Sequence, residues 1–266
     1  MQNKNNILLG VLLAITATVI WSGNFVVARG LKGEVAPVAL SFFRWLTATV
    51  LLLPIAARHL RSGWSFVQQR PLYFFWTSLL GIALFNTFVY IAGHSTTAIN
   101  MALIGTTSSP LMSVVLARYF LNEPIGRRRL LGMSLCVGGI LFLLSKGNYT
   151  NLLQLRFTSG DAWMLLAAFC FACYNILVRK RNPAMPASGF LLWIFAIGTL
   201  LLLPAYLLEA ATVTPIQWNT TIAGAILYLG LGTSVISFLL WNRSIRELGA
   251  GRTALFGNLI PVFASV

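Results

Sequence analysis

The chain has 266 residues, 58% of them hydrophobic and 9% charged, with a formal net charge of +14. A soluble domain carries about 25% charged residues, so most of this chain must face lipid or protein, and a water-soluble enzyme or binding module is excluded. Ten-residue segments of alternating polarity are missing, which argues against a β-barrel and points to an all-α polytopic membrane protein.

Nine apolar segments follow one another at approximately 6–28, 37–57, 71–93, 97–120, 128–145, 161–178, 187–208, 220–242 and 250–266. Each is near the roughly 20 residues that cross a bilayer. The first follows a single basic residue, Lys4, and is longer than a signal-peptide core without a small-residue cleavage site, so it reads as a span. The second carries Arg44 about seven residues from one end, ~10 Å deep at 1.5 Å per residue. The fourth contains Thr106-Thr107-Ser108-Ser109-Pro110, a polar stretch closed by a residue that cannot donate a backbone hydrogen bond. A broken helix is expected there, buried in protein or facing a wet cavity. The ninth is still apolar at Val266.

Basic residues orient the segments. With the N-terminus inside, one side collects Lys4, Arg58, Arg61, Arg70, Arg118, Arg127, Arg128, Arg129, Arg179, Lys180, Arg181, Arg243, Arg246 and Arg252. The other side holds Arg29, Lys32, Lys146 and Arg156, and Arg44 lies within a span. The high net charge is therefore mainly an orientation signal, with added affinity for anionic membrane lipid rather than for nucleic acid. It predicts a cytoplasmic N-terminus in a bacterial inner membrane.

The segments also repeat. Trp21 to Arg29 aligns with Phe171 to Arg179, and Thr49 to Pro54 with Thr199 to Pro204, both at an offset of 150. Leu80-Gly81 matches Leu231-Gly232, Tyr90 matches Trp241, and Leu103 to Val115 matches Ala254 to Val266, at an offset of 151. The last match pairs Pro110 with Pro261. Five spans per half is an odd number, so the halves (1–146 and 155–266) are expected to insert in opposite directions as two inverted five-helix repeats. By this internal ruler the second half is truncated in its fourth helix, and the tenth span is absent from this chain.

The chain resembles the EamA-type branch of the drug/metabolite transporter superfamily. The resemblance rests on Trp21-Ser22-Gly23-Asn24-Phe25, Phe43-Arg44-Trp45-Leu46-Thr47-Ala48, Pro110, Leu121-Asn122-Glu123-Pro124 and Gly160-Asp161. It implies a ten-span transporter fold and a place among carriers that include bacterial amino-acid and metabolite exporters.

Polar and aromatic groups inside the spans are the candidates for a substrate cavity: Trp21, Asn24, Arg44, Asn86, Tyr90, Asn100, Thr107, Ser109, Pro110, Tyr174, Asn175, Trp241, Asn258 and Pro261. For Arg44 two readings stand side by side, a contact to a substrate anion and snorkelling to the outer headgroups. For any single amide, interhelical bonding worth ~0.6 kcal/mol is sufficient reason. Trp163 fits an interfacial belt. Glu123-Pro124 beside Arg127 to Arg129 reads as a salt-bridged connection, and Gly132, Gly138 and Gly139 suit helix packing or a homodimer contact.

The acids Glu34, Glu123, Asp161, Glu209 and Glu247 and the histidines His59 and His94 all lie at span ends or in loops. Proton and cation pathways place such groups mid-membrane, so a metal pump and a carboxylate-coupled antiporter are unsupported, as is a membrane hydrolase. Cys170-x-x-Cys173 lies mid-helix without a second pair, which reads as packing rather than metal or redox chemistry. No phosphate-binding G-x-x-x-x-G-K-[ST] loop occurs, so no nucleotide cofactor, or any other, is called for. What remains is a secondary transporter of small amphiphilic metabolites such as amino acids, working by alternating access. A metabolite importer, a nucleotide-sugar exchanger and a non-transporting scaffold are the alternatives. The charge pattern makes one direct prediction. On a cysteine-free background, Arg61→Cys or Lys180→Cys should react with a membrane-impermeant thiol reagent only from the cytoplasm, and Asn148→Cys only from outside. Reversed labelling would overturn the orientation.

Overall fold

In lipid a backbone can satisfy its own polar groups only within helices or a closed barrel, and this chain takes the helical solution. The computed structural model describes residues 4–122, 125–145, 158–248, 253 and 256–264. The first half holds α1 (Lys4–Gly30), α2 (Pro37–Ala56), α3 (Leu60–Gln69), α4 (Pro71–Ser78), α5 (Phe85–Gly93), α6 (Ala98–Phe120) and α7 (Arg127–Ser145). The second holds α8 (Ser159–Arg179), α9 (Ala187–Ala210), α10 (Thr220–Leu227), α11 (Ser237–Leu248) and the short α12 (Ile260–Ala264). Seven helical stretches among the described residues are long and apolar enough to cross a membrane. Glu123-Pro124 and the loop basic residues Lys146 and Arg156 lie outside the described residues.

Local chemistry sets the helix starts. Pro37 and Pro71 open α2 and α4, where the missing N–H costs nothing. Thr97 and Asn219 accept from the backbone N–H groups of Asn100 and Ile222. Thr158 and Asp161 cap α8 reciprocally, the capping-box arrangement. The free N–H groups of Val38 and Ala39 at the start of α2 find a partner from far along the chain, donating to the Glu209 carboxylate at 3.1 and 2.7 Å.

One expectation needs correction. The polar stretch ending at Pro110 does not break its helix, because α6 runs uninterrupted from Ala98 to Phe120. Thr106 turns its hydroxyl back onto the Ala102 carbonyl within the helix, and Pro110 is exposed on its surface. The backbone irregularities lie elsewhere. Leu79–Leu84, between α4 and α5, and Tyr228–Ile236, between α10 and α11, are wound as π-helix. They contain Gly81 and Gly232, the pair already matched in sequence. Past the second apolar segment, after a 3₁₀ turn at Ala57–His59, the chain continues as α3. Leu60, Gly63 and Val67 give α3 one inward face, with Gly63 and Val67 buried and Gly63 seated against the Trp193 indole.

The two halves are packed together. α2 lies along α9, α1 along α11, and α5 along α8. Where α2 and α9 meet, the Trp45 and Phe195 rings are 4.7 Å apart and the Thr49 and Thr199 hydroxyls 3.3 Å apart. Each of these residues touches its own counterpart at the 150-residue offset. Contacts between span ends sort the helices onto two faces. On one, Tyr73 donates to the Leu177 carbonyl and Ser244 to that of Gly10. On the other, Arg29 donates to the Gly93 carbonyl and Thr96 to Asp161. The first face carries Arg70, Arg179, Lys180 and Arg181, and the second carries Asp161 and Glu209.

Gly93 is one position where only hydrogen fits. A methyl group there would stand 2.7 Å from the Ala28 carbonyl oxygen on α1, whereas one on Gly30 would meet nothing within 4 Å. Overpacking costs ~1–3 kcal/mol. Gly93→Ala should therefore lower the thermal unfolding midpoint of the detergent-purified protein, and Gly30→Ala should leave it nearly unchanged. Equal midpoints for the two variants would refute the close approach.

Candidate functional site

A guanidinium cannot lose its charge in a protein, so its burial must be met by oxygen atoms. Arg44, on α2, is 3% exposed, and this places it inside the bundle rather than reaching for the outer headgroups. Asn24 comes from late in α1. Asn86 and Tyr90 stand one turn apart on α5, which puts both on one face. Arg44 donates from Nη1 to Asn24 Oδ1 at 2.6 Å, to Asn86 Oδ1 at 2.7 Å and to the Tyr90 hydroxyl at 2.8 Å. Its Nε donates to the Ser234 hydroxyl at 2.8 Å, across the boundary between the halves.

The acceptors are all neutral. Among the described residues no carboxylate pairs with Arg44, and Tyr90 also donates to Asn24 at 3.3 Å. Three oxygens crowd the two hydrogens of Nη1, while no hydrogen bond leaves Nη2 toward any described residue. A guanidinium offers five N–H donors in a planar fork, so two remain for a ligand. His94 caps the end of α5. Partial burial holds its imidazole below the usual range, Lys32 and Arg29 push it the same way, and Glu209 opposes them.

Aromatic rings adjoin this polar knot. Trp21 lies 4.9 Å from Trp241 and 5.6 Å from Phe238 between ring centroids, and the Arg44 guanidinium carbon lies 4.9 Å from the Trp45 ring. The Trp21 indole donates to the Thr233 carbonyl at 2.8 Å, and Tyr228 donates to the Ile20 carbonyl at 2.5 Å. Both tie α1 to the π segment that carries Ser234. That segment approaches α2 closely, since a side chain on Gly230 would meet Thr47 and the Arg44 carbonyl oxygen. π-helical insertions often occur at functional sites, and here one aims Ser234 at the arginine. The arrangement can bind and orient an anionic head joined to an apolar or aromatic body.

Trp21, Asn24, Arg44, Asn86, Tyr90 and Trp241 are thus brought together. The other candidates are not. Asn100 sits in the first turn of α6. Thr107 and Ser109 are buried elsewhere along that helix. Asn175 makes a long 3.5 Å contact to Ser113, and Tyr174 stacks on Phe171 and packs over Gly81. Asn258 is exposed in a 3₁₀ turn, and Pro261 is half-buried in α12. Thr233 and Ser234 were missed. Their only sequence signal is two hydroxyl residues directly after Gly232, inside the match to Leu80-Gly81. Among the described residues no group of three or more His, Cys, Asp or Glu could hold a metal ion, and Cys170 and Cys173 are free thiols.

The chain can now be compared with known proteins. The model of the EamA-like transporter family matches residues 8–145 and again 158–266. An uncharacterized transporter of Bacillus subtilis is 26% identical over 91% of this chain and 79% of its own length. A probable amino-acid metabolite efflux pump of Salmonella typhimurium is also 26% identical, over 94% of this chain and 82% of its own length. A probable terminal-alkyne amino-acid exporter of Streptantibioticus cattleyicolor is 27% identical over 59% of this chain and 51% of its own length. With the family model matching both halves of a polytopic helical bundle, this chain belongs to the EamA-like transporter family and is a membrane transporter rather than an enzyme.

Proposed function

We propose that this transporter exports small amphiphilic metabolites, amino acids among them, from the cytoplasm by alternating access of its two halves. The observation that carries the reading is Arg44, a buried cation without a carboxylate partner among the described residues, two of whose N–H groups are uncommitted. A substrate carboxylate supplies the missing charge. The Trp21, Trp241 and Phe238 rings supply apolar surface for its side chain.

Alternating access is supported by contacts of Trp45 with Phe195 and Thr49 with Thr199, which pair equivalent residues as a two-fold relation between the halves requires. Outward transport is supported by the relatives whose names specify amino-acid efflux or export. The basic face then lies in the cytoplasm of a bacterial cell, against its inner-membrane lipid. Gly132, Gly138 and Gly139 on α7 meet open space, and this is where a second copy would seat to form a homodimer.

The test is efflux of labelled amino acids from preloaded cells overexpressing the protein. Faster efflux than from empty-vector cells is expected. A charge-assisted hydrogen bond is worth ~1.5–3 kcal/mol, so Arg44→Gln should weaken apparent affinity for amino acids about ten- to a hundredfold while sparing their esters. Arg44→Lys should recover little, since an ammonium cannot reproduce the two-pronged contact. A variant that loses esters and acids equally would sink the carboxylate role and leave Arg44 a structural one.

A further inference from the structure

The basic face holds a second feature that the transport site does not use. A shallow cleft opens where α3 meets α4 and where the chain leaves α8, lined by Arg70, Lys180 and Arg181 together with Gln69, Asn182 and Phe74. Three cations converge on it, and no carboxylate lines it. They would repel one another unless an anion sat between them. Arg181 is not a loose surface charge, because its guanidinium is half-buried and rests 5.6 Å from the Phe190 ring. The Asn182 side-chain oxygen accepts from the Ala184 backbone at 2.9 Å, which fixes the amide and leaves its NH₂ to donate.

The position narrows the ligand. The cleft lies where α4 begins and α8 ends, so it sits at the depth of the headgroups and not in the hydrocarbon. Beside it α3 exposes Trp64, its ring centroid 5.0 Å from that of Trp193, a residue type concentrated at membrane interfaces. We infer that Arg70, Lys180 and Arg181 form a binding site for the phosphodiester of an anionic lipid, with Gln69 and Asn182 donating to its remaining oxygens. A lipid bound there ties α3 and α4 of the first half to the end of α8 in the second.

The experiment compares thermal unfolding of the purified full chain in detergent after addition of phosphatidylglycerol, phosphatidylcholine or soluble glycerol phosphate at equal concentration. Phosphatidylglycerol alone should raise the midpoint. That increment should vanish in Arg70→Gln/Arg181→Gln, survive in Arg70→Lys/Arg181→Lys, and survive in Arg58→Gln/Arg61→Gln, which removes the same charge from the same face outside the cleft. Should the glutamine pair fail to fold, Lys180→Gln replaces it, with a reduced increment expected. Equal loss in the cleft and Arg58/Arg61 variants would overturn the site in favour of diffuse surface attraction. An equal rise with glycerol phosphate would overturn the lipid assignment in favour of a soluble phosphate ligand, and an equal rise with phosphatidylcholine would show that charge plays no part.

Discussion

A guanidinium buried among neutral oxygens is the constraint on which the rest of this bundle depends. An isolated charge is costly in a low-dielectric interior, and Arg44 has no carboxylate beside it among the described residues. Its charge is met by dipoles from three other places in the chain: Asn24 on α1, Asn86 and Tyr90 on α5, and Ser234 in the π-helical stretch before α11. Four membrane-crossing stretches must therefore converge at one depth. A carboxylate partner would have satisfied the charge outright and left nothing for a ligand. Neutral acceptors hold the arginine in place while leaving its charge uncompensated, so that it can still donate charge-assisted hydrogen bonds to an anion.

Convergence at that point depends on small residues and on irregular winding. Gly230 brings the second π segment against Thr47 and the Arg44 backbone, and Gly81 brings the first against Tyr174. Winding one residue more per turn shifts the side chains that follow, and in the second segment it aims Ser234 at the arginine. Both the backbone N–H and the hydroxyl of Ser237 donate to the Gly232 carbonyl five residues back, the spacing of a π-helix. The two segments fall at equivalent positions of the halves, but only one meets a charge. Ile194, 150 residues on from Arg44, is fully buried in α9 and carries no charge.

The same economy of weak contacts bears on movement. Interhelical hydrogen bonds in membranes average ~0.6 kcal/mol. Among the described residues the links joining the halves include Glu209 to the start of α2, Thr96 to Asp161 and Tyr73 to Leu177. A helix pair held this way can separate on one face while aromatic packing at Trp45 and Phe195 keeps the centre intact. That combination suits a carrier whose halves rock about a fixed middle.

By itself the amino-acid sequence determined what depends on composition and on matches along the chain. Apolar length made the spans legible, the sidedness of basic residues predicts an orientation, and Pro54 with Pro204 and Gly81 with Gly232 are matched along the chain. It also singled out Arg44, because an arginine within an apolar run is conspicuous whatever surrounds it. Only the tertiary structure decided which polar groups meet it. Asn86 and Asn100 look alike in sequence, yet one closes on the guanidinium and the other sits in the first turn of its helix. Nor could sequence place the backbone irregularities: Pro110 advertised a break, but its helix runs on past it and Thr106 bonds within the helix, while the departures occurred at Leu79–Leu84 and Tyr228–Ile236. The physical reason is that helical winding in lipid answers to what packs against each turn, and the partners of these turns lie as far as 212 residues away.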